Sequence, residues 1–131
     1  MYKRQVLSSD TPTLPPAILA RAADLLLQGD ARRVVLGACD DGGYYMLGMR
    51  TLHAGLFAGI AWSTNTVADA TRDRAAVLGL ELIELPPWYD IDDGASLLRL
   101  AGDQNGYAAP CSRAALGMLG LELGFSLSAV A

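Results

Sequence analysis

Only two of the 131 residues are cysteine and one is histidine, and basic residues are outnumbered, ten Lys and Arg against fourteen Asp and Glu. Each shortage excludes something. Cys39 and Cys111 are too few for a disulfide framework, so a reducing, cytoplasmic compartment is the default expectation. A net charge of −4 excludes a general nucleic-acid binder, which needs a basic face. It does not exclude one nucleotide held through a metal, because a bound cation reverses the local charge. Long apolar runs are also lacking. The stretch LGMLGLELGFSLSAVA is interrupted by Glu122 and by glycines, and no stretch reaches the roughly twenty residues of a membrane span. Residues 1–20 have no continuous apolar core after Lys3 and Arg4, so no secretory signal is expected. What is present is a hydrophobic fraction of 52% and a mean hydropathy of +0.27, which excludes a disordered tail and suits one domain of sheet covered by helices.

Along the chain, VLSS (6–9) reads as the end of a buried strand, closed by the polar run Ser8-Ser9-Asp10-Thr11. TPTLPP (11–16) then opens a helix, with Thr13 as its cap and prolines where first-turn amides lack partners anyway. Ile18, Leu19, Ala22, Leu25 and Leu26 share one helical face, Arg21, Asp24 and Gln28 face outward, and Gly29 ends the helix. Arg33–Gly37 is a β-branched run of the kind found inside a sheet. Asp40-Asp41-Gly42-Gly43 is a turn signal, and Tyr44–Met49 a further strand. Ser63-Thr64-Asn65 offers an N-cap for a helix to about Leu78, and Leu80–Leu85 alternates as a strand closed by Pro86-Pro87. Helices are expected at about 95–102 and around 111–120. The order strand, helix, strand, strand, helix, strand, helix predicts an α/β fold with a mostly parallel sheet.

Met1-Tyr2-Lys3-Arg4-Gln5 is a polar, basic pentapeptide joined directly to a strand that should have a longer apolar lead. Read back with an initiating GTG it fits GTG TAT AAG AGA CAG, which resembles the end of a transposon adapter used for sequencing libraries. The expected organisation is therefore a non-native start at 1–5, a domain portion at 6–102, and a partly helical extension at 103–131.

Acidic residues stand where strands are expected to end: Asp10, then Asp40-Asp41, then Asp90 with Asp92-Asp93. In open α/β sheets ligands bind beyond the carboxyl ends of the strands. Carboxylates converging there suit Mg²⁺ or Mn²⁺, which take oxygen ligands and fill remaining positions with phosphate oxygens and water. Asp and Gly after strands are also the ordinary composition of turns.

Four blocks tie these clusters together. SSDTPTLP (8–15), DDGGYYMLG (40–48), GIAWST (59–64) and YDIDD (89–93) occur in the order found in one family. The chain resembles, over about residues 6–100, the GT-A-like family labelled rSAM/selenodomain-associated transferase, some members of which are named arsenosugar biosynthesis glycosyltransferases. It is similar, more distantly, to the molybdenum-cofactor and phospholactate guanylyltransferases. The resemblance implies a partial nucleotide-diphospho-sugar transferase (GT-A-like) three-layer fold. It implies a metal and diphosphate role for Asp10 after the central strand, and metal-facing carboxylates at Asp90 and Asp92. It places Asp41 (the expected catalytic residue), Gly42, Gly43 and Tyr44 beside the donor sugar or acceptor, with Trp62, Ser63 and Thr64 on the acceptor side. Asp93, Gly94, Ala95 and Ser96 replace the family's T-P-E-D, so its last carboxylate is missing.

Such domains begin with a strand and a Gly-, Lys- and Arg-containing loop that grips the nucleotide, and none precedes Val6. The expectation is metal-dependent glycosyl transfer from a UDP- or GDP-linked sugar to a small-molecule acceptor in the parent protein. Nucleotidyl transfer on the same fold is the alternative, and an inactive fragment, able to self-associate through an exposed sheet edge, is the reading for the chain itself. His53 reads as a solvated loop residue, Cys39 as a small buried hydrophobe, and Arg72 and Arg74 as a solvated helix face. Tyr44 and Tyr45 alternate, with Tyr44 toward the cleft, and Trp88 and Tyr89 cover a sheet end.

Overall fold

The computed structural model describes the backbone of residues 4–128 and the side chains of residues 6–120. The expectation for residues 1–5 therefore lies outside the described side chains, although Arg4 and Gln5 belong to the first strand, β1 (Arg4–Leu7). Helix α1 (Pro16–Gln28) follows, then β2 (Arg33–Ala38), β3 (Tyr44–Met49), a 3-10 turn at Ala54–Phe57, helix α2 (Val67–Val77), β4 (Glu81–Glu84), α3 (Gly94–Gly102) and α4 (Pro110–Ser128).

The four strands form one sheet in the order β1-β3-β2-β4. β2 and β4 pair in parallel, whereas β3 runs antiparallel to both β1 and β2. Three strands thus share a direction and the reversed β3 lies between two of them, which makes the sheet mixed rather than parallel at most of its ladders. The reversal follows from the short Asp40–Gly43 connection, since only an antiparallel neighbour can be reached by so tight a turn.

Side-chain alternation divides the core between two faces. Val35 packs with Ala22, Leu25 and Leu26 of α1, while Val34, Leu36, Leu47 and Met49 pack with Leu56 and with Ala75 of α2. The result is three layers, α1 on one face and α2 with the 3-10 turn on the other. The pairing shifts between Gly37 and Ala38, where Gly37 faces Met46 and Ala38 faces Tyr44. Tyr45 is the extra residue of this bulge. Its ring, fully buried, lies against Gly37, where an added Cβ would come within 2.2 Å of it, and its hydroxyl donates to the Pro86 carbonyl at 2.8 Å.

Four local expectations are corrected. Thr13 does not cap α1: Pro15 is the N-cap, and the Thr13 hydroxyl, fully buried, accepts from Trp88 Nε1 at 3.1 Å and meets the Tyr89 hydroxyl at 3.3 Å. Val6 and Leu7 are about half exposed because β1 is an edge strand, not a buried one. The cap of α2 is Thr66, just past the Ser63–Asn65 run, and its side chain makes no cap bond. Arg74 is not simply solvated, since its Nε donates to Gly55 O at 2.9 Å and ties α2 to the 3-10 turn; Arg72 pairs with Asp69 and Glu84. At the far end, Arg113 donates to Ala108, Leu100 and Asp103 carbonyls and fixes the start of α4 on the end of α3. Among the described residues no helix is long and apolar enough to cross a membrane.

Candidate functional site

The carboxyl ends of β1, β2 and β4 lie at the same end of the sheet as the start of β3, and one segment crosses them. Trp88 N donates to Ala38 O and Asp40 N to Trp88 O, so a bridge between Cys39 and Trp88 continues the parallel ladder past the strands. Three residues later Ile91 N donates to Asp10 O at 2.8 Å, which brings the segment over the end of β1. Residues 88–93 thus form a strap across the strand ends.

The strap has two sides. Asp90 and Asp92 line one side of it and Ile91 the other. Asp90, Asp92 and Asp93 line a cleft of about 280 Å³ together with Asp40, Asp41, Tyr89, Ser96 and Arg99. Ile91 lines a separate, mainly apolar groove with Leu97, Leu100, Leu116 and Asp10. Asp10 is therefore not in the cleft that holds Asp90 and Asp92. Its carboxylate accepts from Ser9 Oγ at 2.9 Å.

The buried Cys39 sulfur and carboxylate oxygens of the cleft residues Asp41 and Asp90 lie within 4.8 Å of one another. Burial first, then the charges of Asp90 and Asp41, pushes the Cys39 thiol up to about 12. Its sulfur is thus a protonated, weak donor, and the oxygens of Asp41 and Asp90 are the donors that fit a hard divalent cation. Burial also raises the Asp90 carboxyl, and Asp41 and Asp92 push it further. The thiol assignment has a direct check. At pH 8 iodoacetamide should label the exposed Cys111 of the folded chain and spare Cys39, with both labelled in urea. Equal labelling rates in the folded chain would mean that Cys39 is open to solvent.

A second cleft, of about 520 Å³, adjoins the first and shares Asp41 and Asp92 with it. It is lined by Gly43, Tyr44, Trp62, Ser63, Thr64 and Asn65 as well. Trp62 is half exposed and stacked on Phe57, with ring centroids 6.5 Å apart. Ser63 holds a left-handed backbone, φ 61°, at this rim. Thr64 Oγ1 donates to Ala61 O at 2.6 Å and also meets Thr66 Oγ1 at 2.8 Å. Tyr44 faces the cleft, and Tyr45 is buried in the core.

The turn between β2 and β3 aims Asp41. Gly43 N donates to Asp41 Oδ1 at 2.9 Å, Gly42 N to Cys39 O, and Ala68 N to Gly42 O, which anchors the turn on the first turn of α2. Of the expected site residues, Asp41, Gly43, Tyr44, Trp62, Ser63, Thr64, Asp90 and Asp92 line the two joined clefts. Gly42 stands behind them against Asn65, and Asp10 lies in the apolar groove.

Three features were not visible as site features in the sequence. Arg99 reaches from α3 to Asp40, Nη1 to Oδ2 2.8 Å, and its guanidinium lies 3.8 Å from the centroid of the Tyr89 ring. Its one sequence signal is that no other Lys or Arg stands between Arg74 and Arg113. Cys39 enters through the bridge to Trp88. The Asp93–Ser96 departure forms a capping box: Asp93 Oδ1 accepts from Ser96 N at 2.8 Å, and Ser96 Oγ accepts from Asp93 N at 3.1 Å. The bond from the Ser96 amide holds the Asp93 carboxyl below its usual range. His53 is a partly exposed loop residue whose Nε2 donates to Ala31 O at 2.8 Å, and it lines neither cleft.

Known proteins resemble this arrangement in two ways. The family model described as "Uncharacterized protein conserved in bacteria (DUF2064)" matches residues 3–64, the span that carries the first three sequence blocks. No curated protein matches the chain. A crystal structure from Desulfovibrio desulfuricans G20, described as a candidate nucleotide-diphospho-sugar transferase, superimposes with a TM-score of 0.70 at 27% identity. The match covers 87% of this chain and 52% of that one, so the chain spans about half the length of the solved structure it resembles. Over that half, the chain has the α/β fold of a nucleotide-diphospho-sugar transferase, as its sequence blocks led us to expect.

Proposed function

We propose that the joined clefts are the metal and sugar side of a transferase that moves a glycosyl group from a UDP- or GDP-linked sugar to a small-molecule acceptor. The observation that carries this reading is the junction itself, where an acidic cleft and an aromatic, hydroxyl-lined cleft meet at Asp41 and Asp92. Asp41 and Asp90 would hold Mg²⁺ or Mn²⁺, with Asp92 close by. When bound, the cation supplies positive charge to offset that of a diphosphate leaving group.

The chain's own residues do the positioning. Trp62 offers an exposed indole face to the apolar side of a sugar ring, and the Ser63 and Tyr44 hydroxyls offer polar contacts around it. Asp41, aimed by the Gly43 amide and common to both clefts, is the residue we assign to the reaction. Holding both reactants against one rigid turn converts a bimolecular encounter into an oriented one. Nearly half of the solved relative has no counterpart in this chain. Contacts to the base, and the complete activity, are proposed for a protein of that larger size.

Calorimetric titration with Mn²⁺ tests the metal corner. The wild-type chain should bind one Mn²⁺. Asp90→Asn should weaken binding at least as much as the roughly 10- to 100-fold that loss of an outer-shell partner costs. Asp10→Ala should leave it unchanged. The same Asp90→Asn variant should be more stable than wild type without metal at pH 7. The Asp90 carboxyl is raised in the folded state, so its contribution favours folding below the unfolded value and is lost as pH rises through the folded one. Ionised Asp90 therefore opposes folding at neutral pH, and Asn removes that opposition. Undiminished Mn²⁺ affinity in folded Asp90→Asn would remove Asp90 from the site.

A further inference from the structure

Among the described residues Arg99 is the one basic side chain lining the acidic cleft, where five carboxylates face it: Asp40, Asp41, Asp90, Asp92 and Asp93. Its guanidinium carbon lies over the Tyr89 ring, 3.8 Å from the centroid, and the group spends only Nη1, on Asp40. Nε and Nη2 donate to no described residue. Both partners of the ion pair are half exposed, 50% for Arg99 and 51% for Asp40. Pairs so exposed add little to stability, so holding α3 against the β2–β3 turn does not account for the arrangement. What remains is a rigid, planar donor fork turned toward a cleft, with two donors to spare. That geometry matches two oxygens of one anionic group.

We propose that Arg99 binds the anionic group of the ligand in this cleft, a phosphate or carboxylate, through Nε and Nη2 while Nη1 stays on Asp40. The inference rests on the function proposed above and names the residue that would face the anion across from Asp41 and Asp90. Tyr89, a residue of the strap whose hydroxyl meets that of Thr13, supplies the surface on which the guanidinium rests. The anion can be the donor's diphosphate or an acid group on the acceptor.

The two members of the pair make opposite predictions, which a merely structural pair would not. Binding of inorganic pyrophosphate in excess Mg²⁺ is followed by calorimetry in the complete chain. Malonate, tested in parallel, stands for an acid-bearing acceptor. Arg99→Gln should weaken binding of the preferred anion about tenfold or more, with Arg99→Lys in between because it keeps charge but loses the fork. Asp40→Asn should tighten binding severalfold, since it removes a repelling charge beside the fork. Arg99-dependent binding of pyrophosphate assigns the anion to the donor, and of malonate to the acceptor. Equal weakening by Arg99→Gln and Asp40→Asn, no effect of Arg99→Gln, or no anion binding by the folded wild-type chain would overturn the inference. Mn²⁺ binding and its loss in Asp90→Asn are measured separately, so failure of the metal corner is recognised apart from failure of Arg99.

Discussion

Gly42→Ala should destabilise the chain by on the order of 3 kcal/mol and abolish Mn²⁺ binding in the variant that remains folded. Two separate effects add. The Gly42 backbone is left-handed, φ 92°, a conformation that side chains rarely adopt. An added Cβ would also stand 1.9 Å from the Asn65 carbonyl oxygen, a backbone atom that cannot swing aside. Nor can the turn retreat, because the Gly42 carbonyl accepts from Ala68 N at the start of α2. Gly59→Ala separates the two effects. Gly59 is also left-handed, φ 69°, but a Cβ there meets nothing within 4 Å, so only the conformational part remains, about 1 kcal/mol. Urea midpoints of the two variants, with Mn²⁺ calorimetry, decide the matter. A Gly42→Ala chain as stable as Gly59→Ala, and still binding Mn²⁺, would show that Asn65 does not lock the turn.

Tyr45→Ala should cost about 3–5 kcal/mol, a large share of the roughly 5–15 kcal/mol of a domain this size. The side chain is fully buried, it is the extra residue of the bulge, and its ring fills the space that Gly37 leaves. Tyr45→Phe isolates the hydroxyl. Its bond to Pro86 O is worth about 1 kcal/mol, since the residue that carries this carbonyl is exposed and water can replace the donor. Pro86 leads into the strap, so Tyr45→Phe should also weaken Mn²⁺ binding slightly while Gln28→Ala, on the outer face of α1, should not. Equal urea midpoints for Tyr45→Ala and Tyr45→Phe would contradict the packing described for the ring.

The sequence was most legible where a residue's environment is set by its near neighbours. The outward and inward faces of α1, the end of that helix at Gly29, the strand at Tyr44–Met49 and the opposite directions of Tyr44 and Tyr45 all follow from local periodicity. Legibility ended where the deciding partner is distant in the chain. Thr13 looks like a cap until Trp88 and Tyr89 take its hydroxyl from 75 and 76 residues away. The acidic clusters were expected to converge as three, yet Asp10 lies with Ile91 on the other side of the strap. Arg99, one arginine on an amphipathic helix, carries no sign that Asp40, 59 residues earlier, will hold it. Cys39 needed the parallel register of β2 and β4, which sets it beside Trp88. Local chemistry gave the elements, whereas the cleft is a product of register.

That register also governs motion. Asp41 and Asp90 are carried by adjoining arms that share ladder bonds, Cys39 to Gly43 on one side and Ala38 to Trp88 on the other, so neither can travel without breaking sheet. The opposite lip is different in kind. From Ala58 to Thr66 it contains no strand or helix, Trp62 and Ser63 are exposed, and Ser63 sits in a conformation it would leave with relief of strain. Asn65, at the base of this lip, stays locked against the Gly42 turn as the carboxylates stay locked to the ladder, so adjustment to a ligand of the proposed kind falls first on Trp62 and Ser63.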